Sequence, residues 1–383
     1  MKLICLSYQL SHFIPIMNYI LNHELKDCLF FGEKELEEYV VQLGYKYIVC
    51  KSNKYVNIIN YRKEKQMLKY IQAYRELHEE VKKVIYDYNI SEIYCDISRY
   101  MFYAPVADKM NLYITIYWTY NGPTHFNIYS YPQTVFLQSK NRVRCVWEWI
   151  KQFYRGEIKS QKIFFYFTYP HNFIFKLHNL FKLRYSIDGL FINTNKVICG
   201  PMELVEFYDK KTLFDKPKLT YYLKKNSNYI DKVLNRDGKK IYISFGTNNI
   251  RYMECEKIIK RAIECLKDRN ILVIINVGNI NKIEMQSDAN NIIFVQGINQ
   301  ADVIKKVDYV IFHGGFGTLK ECYYFNKKVI VIPFMYDQFS NARLVEQIHL
   351  GEYIPKEEAE KVDFYKKIEY LDETLGKSNP HRI

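Results

Sequence analysis

In this 383-residue chain, the side chains that could do chemistry in concert stand between Asp308 and Gly351. An apolar run, Tyr309-Val310-Ile311-Phe312, leads into His313-Gly314-Gly315-Phe316-Gly317-Thr318, and a helical pattern follows at once. Glycines between a strand and a helix let the backbone approach a ligand closely, while the first N–H groups of the helix and its positive dipole end attract phosphate oxygens. That order predicts a diphosphate site, although tight strand-to-helix connections also use glycine for steric reasons alone. Glu321 stands one helical turn after Thr318. A carboxylate facing a diphosphate is repelled unless it accepts hydrogen bonds from ribose hydroxyls, as acidic residues do in dinucleotide folds; the alternative is a solvated helix charge. After the next apolar run, Pro333-Phe334-Met335-Tyr336-Asp337-Gln338 sets a carboxylate beside an amide in a loop at the carboxyl end of the sheet. Together they can fork several sugar hydroxyls, or they cap the helix that starts at residue 339.

Holding such turns in place requires a parallel sheet with helices on its faces. The second half supplies one, with strands predicted at 240–245, 271–277, 292–295, 309–312 and 329–332 and helical stretches between them. The first half repeats the alternation, with strands predicted at 2–8, 28–31, 45–50, 92–95, 112–118 and 189–194. A helix is predicted over 15–24 with Pro15 in its first turn. Over 62–88, Met67, Leu68, Ile71, Tyr74, Leu77, Val81, Val84 and Ile85 recur at spacings of three and four, the mark of an amphipathic helix. From 119 to 188 the pattern loosens, and 163–185 mixes Phe and Tyr with Lys, Arg and His. That segment could line an acceptor pocket, rest on a membrane surface, or form a core helix with a solvated basic edge. Residues 206–238 have the polar, Lys-rich composition of a connection. The expected organisation is an acceptor-binding domain over 1–205, a linker over 206–238 and a nucleotide-sugar-binding domain over 239–383.

HGGFGTxxE followed by PxxxDQxxNA, here closing at Asn341-Ala342, closely resembles the donor-binding signature of the UDP-glycosyltransferase superfamily. Three further pieces are similar to that family. Ile241-Tyr242-Ile243-Ser244-Phe245-Gly246-Thr247 is like its VSFGS/T segment, Ser11-His12-Phe13-Ile14-Pro15 like its GHxxP, and Glu92-Ile93-Tyr94-Cys95-Asp96 like the segment whose Asp supports the base. The resemblance implies an α/β, GT-B fold: two Rossmann-like domains with parallel sheets facing across an interdomain cleft. It implies His12 as catalytic base oriented by Asp96. It assigns the nucleotide sugar to Gly246, Thr247, Gln300, His313, Gly315, Gly317, Thr318, Glu321, Asp337 and Gln338. Without the family, His12 reads as a structural histidine and Asp96 as a cap for a helix over 98–107. The chain departs from the family in two places. Where many members carry an aromatic residue that stacks on uracil, within a WxPQ-like segment, this chain has Gly297-Ile298-Asn299-Gln300. Phe294 then offers a face, or diphosphate and sugar hold the donor. The tail is also short, so either a helix crossing back onto the first domain is formed by 356–375 alone or the anchoring between the domains is weaker than in the family.

The implied activity is an inverting transfer from a UDP- or dTDP-sugar to a hydroxyl of a small-molecule or lipid-like acceptor, with no metal and no other cofactor. A nucleotide-sugar epimerase and a non-catalytic nucleotide-sugar binder are the competing readings. The formal net charge of +13, from 55 Lys and Arg against 42 Asp and Glu, would suit a nucleic acid, an anionic membrane or a phosphorylated substrate. No nucleic-acid recognition motif accompanies it, so a nucleic-acid partner is not expected. Nine cysteines, odd in number and without a CxxC pair, argue against a disulfide framework or zinc site. No run reaches the roughly 18 apolar residues of a spanning helix. A cytoplasmic protein is expected, with peripheral membrane contact through 163–185 as an option.

Overall fold

The computed structural model describes residues 1–6, 10–51, 66–96, 99–118, 142–154, 194–198, 200–204, 212–214, 228–246, 252–277, 289–335 and 337–375. The chain forms two compact units, with Met1–Thr119 and Arg142–Tyr221 in the first and Tyr222–Ile383 in the second.

The first unit is built on a seven-stranded sheet in the order β3-β2-β1-β4-β5-β6-β7, and each neighbouring pair runs parallel. Its elements, in chain order, are β1 Lys2–Cys5, α1 Leu10–Asn22, β2 Cys28–Gly32, α2 Glu37–Val41, β3 Lys46–Val49, α3 Met67–Asp87, β4 Glu92–Asp96, α4 Tyr100–Lys109, β5 Tyr113–Trp118, α5 Arg142–Tyr154, β6 Thr194–Ile198 and β7 Thr212–Phe214. Strands covered on both faces need apolar side chains at successive positions, and β1 and β2 comply, with Leu3, Ile4, Cys5, Leu29, Phe30 and Phe31 all buried. Helix α1 starts five residues ahead of the expected Pro15, which therefore lies inside it. An internal proline costs a helix about 3 kcal/mol. Burial of Phe13, Ile16, Met17 and Ile20, one face at spacings of three and four, offsets that cost. In α3 the face Tyr74, Leu77, Val81, Val84 and Ile85 is buried as expected, whereas Leu68 at its start is 83% exposed. Thr212–Phe214 and a helix, α6 Asn228–Leu234, fall within the stretch whose composition reads as a connection.

The second unit carries a six-stranded parallel sheet in the order β10-β9-β8-β11-β12-β13. Its further elements are β8 Lys239–Ser244, α7 Tyr252–Leu266, β9 Ile271–Asn276, β10 Ile292–Val295, α8 Gln300–Lys306, β11 Tyr309–Phe312, α9 Phe316–Tyr324, β12 Lys328–Val331, α10 Gln338–Gln347, β13 Gly351–Tyr353, α11 Lys356–Ala359 and α12 Phe364–Leu375. The edge strand β13 has three residues, too few for an alternation signal. Glycine is required at its start, because a Cβ on Gly351 would lie 1.9 Å from the Val329 carbonyl oxygen. The tail does not form one helix over 356–375. It breaks between α11 and α12, and Ala359, Phe364, Ile368 and Leu371 complete the core beneath this second sheet.

Among the described residues, no helix is long and apolar enough to cross a membrane.

Candidate active site

In the first unit, β1 and β4 are neighbours with Cys5 opposite Cys95, so the chain leaving β1 and the end of β4 emerge side by side. His12 lies in the first turn of α1, and Asp96 is the last residue of β4. His12 Nδ1 stands 2.9 Å from Asp96 Oδ2, with the carboxylate wholly buried and the imidazole side chain 10% exposed. A carboxylate on Nδ1 keeps the proton of the neutral ring there and leaves the lone pair on Nε2. The Asp96 carbonyl accepts the Arg99 N–H at 2.9 Å, closing the turn into α4.

In the second unit, β8 and β11 are neighbours with Ser244 opposite Phe312, so Phe245-Gly246 and His313-Gly314-Gly315 leave the sheet together. The imidazole of His313 fits against two glycines. A Cβ on Gly315 would lie 2.6 Å from His313 Nε2, and one on Gly246 would lie 2.8 Å from Cε1. Gly246 also has φ +79, a left-handed conformation that side-chain-bearing residues adopt only with strain. Burial pushes the His313 imidazole down to about 4, so the ring is neutral near pH 7. Gly314, at φ +87, is hemmed in by Val331 Cγ1 and the Gln338 carbonyl, at 2.9 and 3.0 Å from where its Cβ would stand. A Cβ on Gly317 would meet open space. Gly315 occupies the N-cap position of α9, whose unpaired N–H groups start there.

Gln300, the first residue of α8, joins these turns. Its amide donates to Thr318 Oγ1 at 3.1 Å and to Glu321 Oε2 at 2.7 Å. Behind it, Asn276 Nδ2 donates to Tyr242 OH at 2.9 Å, and that hydroxyl stands 3.4 Å from Gln300 Oε1. Glu321 is therefore a half-buried, hydrogen-bonded group and not a solvated helix charge. Burial raises its carboxyl to about 7, against the lowering effects of the Gln300 hydrogen bond and of Lys320.

Asp337 takes the N-cap position of α10, yet its carboxylate makes no capping hydrogen bond. It accepts from Asn341 Nδ2 at 3.2 Å. Gln338 is folded back on its own loop, its Oε1 accepting the Phe334 and Met335 N–H groups at 2.8 and 3.0 Å. Only its amide N–H groups remain for a ligand hydroxyl, a narrower role than the sequence reading gave it. Asn341 was part of the motif but not a candidate site residue. It is fully buried, and its Nδ2 also donates to the Gly314 carbonyl at 2.7 Å, tying the loop after β12 to the glycine turn after β11. Thr247 and the segment 163–185 lie outside the described residues. Among the described residues, no three His, Cys, Asp or Glu side chains gather as a metal site.

The chain is similar to known proteins in a way that follows this geometry. Residues 250–379 match the family model described as the glycosyltransferase family 28 C-terminal domain. Over 154 residues, 40% of the chain, it is 32% identical to the NDP-glycosyltransferase YjiC of Bacillus subtilis (strain 168). Over 166 residues, 42% of the chain, it is 28% identical to the putative UDP-glucuronosyltransferase ugt-50 of Caenorhabditis elegans. These matches span 38% and 31% of the relatives' own lengths. Among solved structures, the spinosyn rhamnosyltransferase SpnG complexed with thymidine diphosphate superposes with a TM-score of 0.64 over 98% of this chain and 92% of that one, at 13% identity. The calicheamicin glycosyltransferase CalG4 gives 0.66 over 98% and 90%, at 12% identity. At such identities the likeness shows the fold, and the fold is GT-B.

Proposed function

We propose that this chain, whose residues 250–379 match the glycosyltransferase family 28 C-terminal domain, is a UDP-glycosyltransferase-type enzyme that moves a sugar from a nucleoside-diphosphate sugar to a hydroxyl of a small-molecule or lipid-like acceptor with inversion at the anomeric carbon. The observation that carries the reading is the 2.9 Å contact of His12 Nδ1 with the buried Asp96 carboxylate. It holds the imidazole in one orientation by its Nδ1, the arrangement a general base acting through Nε2 requires.

In this reading the acceptor O–H gives its proton to His12 Nε2 as its oxygen bonds to the anomeric carbon. The bond from that carbon to the diphosphate oxygen breaks on the opposite face, and its electron pair leaves with the diphosphate. Asp96 stabilises the imidazolium that forms. The leaving charge falls to the first N–H groups of α9, with Thr318 and the neutral His313 as further hydrogen-bonding partners, and the positive end of the helix takes the role a metal has in other transferases. Glu321 and Gln300 hold the ribose, and Asp337 with the amide of Gln338 holds the sugar. A UDP- or dTDP-sugar as donor agrees with the names of the relatives and with the thymidine diphosphate in one structural neighbour.

The experiment is an acceptor screen with UDP- and dTDP-sugars, reading the mass gain of the acceptor, in wild type and His12→Ala. Transfer is expected to fall by roughly 100- to 10,000-fold in the variant. Transfer at the wild-type rate would remove His12 as the base.

A further inference from the structure

We infer that Tyr242 and Asn276 are positioning residues for the nucleotide, which act through Gln300 to hold Glu321 where it meets the ribose. The inference rests on the donor-site reading above and extends it to two side chains that stand behind the site.

Strands of a parallel sheet covered on both faces call for apolar side chains, and Ile241, Ile243, Val273 and Ile275 comply as buried core residues. The carboxyl ends of β8 and β9 break that pattern. Ser244 and Asn276 are partners across the two strands, and Tyr242, two positions before Ser244, shares its face. Tyr242 and Ser244 are buried and Asn276 is half-buried. Polar groups set among core residues cost stability unless they are hydrogen-bonded. These are bonded into a chain that leads to Glu321.

Each member of the chain has a fixed part, because an amide nitrogen only donates and an ionised carboxylate only accepts. Asn276 Nδ2 donates to Tyr242 OH at 2.9 Å, and Ser244 also hydrogen-bonds that hydroxyl. Burial pushes the Tyr242 phenol well above its ordinary value, so it keeps its proton. That proton goes to Gln300 Oε1, 3.4 Å away, which can only accept. The amide nitrogen of Gln300 is thereby turned toward α9, where it donates to Thr318 Oγ1 at 3.1 Å and Glu321 Oε2 at 2.7 Å. An amide turned over would set its oxygen against the carboxylate, acceptor against acceptor, and push Glu321 from its place. A fully bonded buried network of this kind specifies one arrangement.

The test is isothermal titration of the full chain with UDP at about pH 8, above the Glu321 value of about 7. Two single variants probe the chain. Tyr242→Phe removes the phenol proton, whereas Asn276→Asp keeps the size of the side chain but accepts that proton and so draws it away from Gln300. Each is expected to weaken UDP by about 5- to 30-fold. Gln300→Ala is expected to weaken it at least as much, and Tyr242→Phe placed on Gln300→Ala to change it by less than about twofold further, because the phenol acts through the amide. A merely structural tyrosine would instead give penalties that multiply. Multiplied penalties, or wild-type affinity in Asn276→Asp, overturn the inference, and Asn276→Asp decides alone if Tyr242→Phe does not fold. No binding of UDP by wild type, or undiminished binding by Gln300→Ala, removes the donor site or its ribose contact and this inference with it, an outcome distinct from multiplied penalties.

Discussion

At the scale of single residues, the site depends on groups whose properties are set by what packs on them. Glu321 has its carboxyl raised from 4.5 to about 7 by burial. A raised carboxyl is one the folded protein prefers protonated, so its favourable contribution is complete below about 4.5 and is lost as pH rises through about 7. Glu321→Gln is therefore expected to gain about 1–3 kcal/mol on wild type between about pH 5 and about pH 8, measured by denaturant unfolding of the ligand-free protein. A difference that stays flat across that range would show a fully solvated Glu321. Comparison with the variant cancels the opposite trend of His313, which is lowered to about 4 and weakens the fold as pH falls. The sequence made the glycine turn after β11 legible, but it did not reveal what Gly315 there and Gly246 after β8 accommodate. Gly246 and Gly315 stand against the His313 ring because Ser244 pairs with Phe312, a register between strands far apart in the chain. Asn341 went unassigned for a similar reason, since its acceptor on Gly314 is fixed only once the two loops meet.

At the scale of elements, periodicity reported well on long segments and poorly on short or interrupted ones. Strands 292–295 and 309–312 were readable to the residue as apolar runs. Helix α1 begins ahead of Pro15 because its buried face outweighs the local cost of proline, a balance that propensity alone does not contain. The tail shows what a terminal helix can contribute. Asp372 on α12 accepts from Lys239 at 2.5 Å, Lys328 at 2.7 Å and the Tyr309 hydroxyl, joining the amino ends of β8, β12 and β11. Burial acts to raise its carboxyl, but these three donors prevail and hold it at about 2. The resulting stability is present above its ordinary value of 3.8 and is lost as pH falls through about 2. Asp372→Asn is expected to cost about 1–2 kcal/mol at neutral pH, with the difference shrinking in strong acid, by thermal or denaturant unfolding. Equal stability of the two proteins at neutral pH would mean that the cluster gains nothing over solvated charges.

At the scale of the whole molecule, the proposed function gives the two halves separable duties, with His12 and Asp96 in the first and the glycine turn, Glu321 and the loop of Asp337 and Gln338 in the second. That both halves are parallel α/β units was legible from alternating apolar runs and helical stretches, and the match over residues 250–379 agrees for the second. The acceptor was not legible, because the stretch expected to receive it has pattern without a motif. A division of duties has a direct consequence for binding. Isothermal titration of UDP into wild type, His12→Ala and Gly315→Ala tests the central claim, that the turn around His313 forms a nucleoside-diphosphate site independent of the base in the other unit. The account predicts that wild type binds, that His12→Ala binds within about twofold of it, and that Gly315→Ala, whose Cβ would lie 2.6 Å from His313 Nε2, binds at least about tenfold more weakly. Undiminished affinity in Gly315→Ala, or no binding by the wild-type protein, would contradict it.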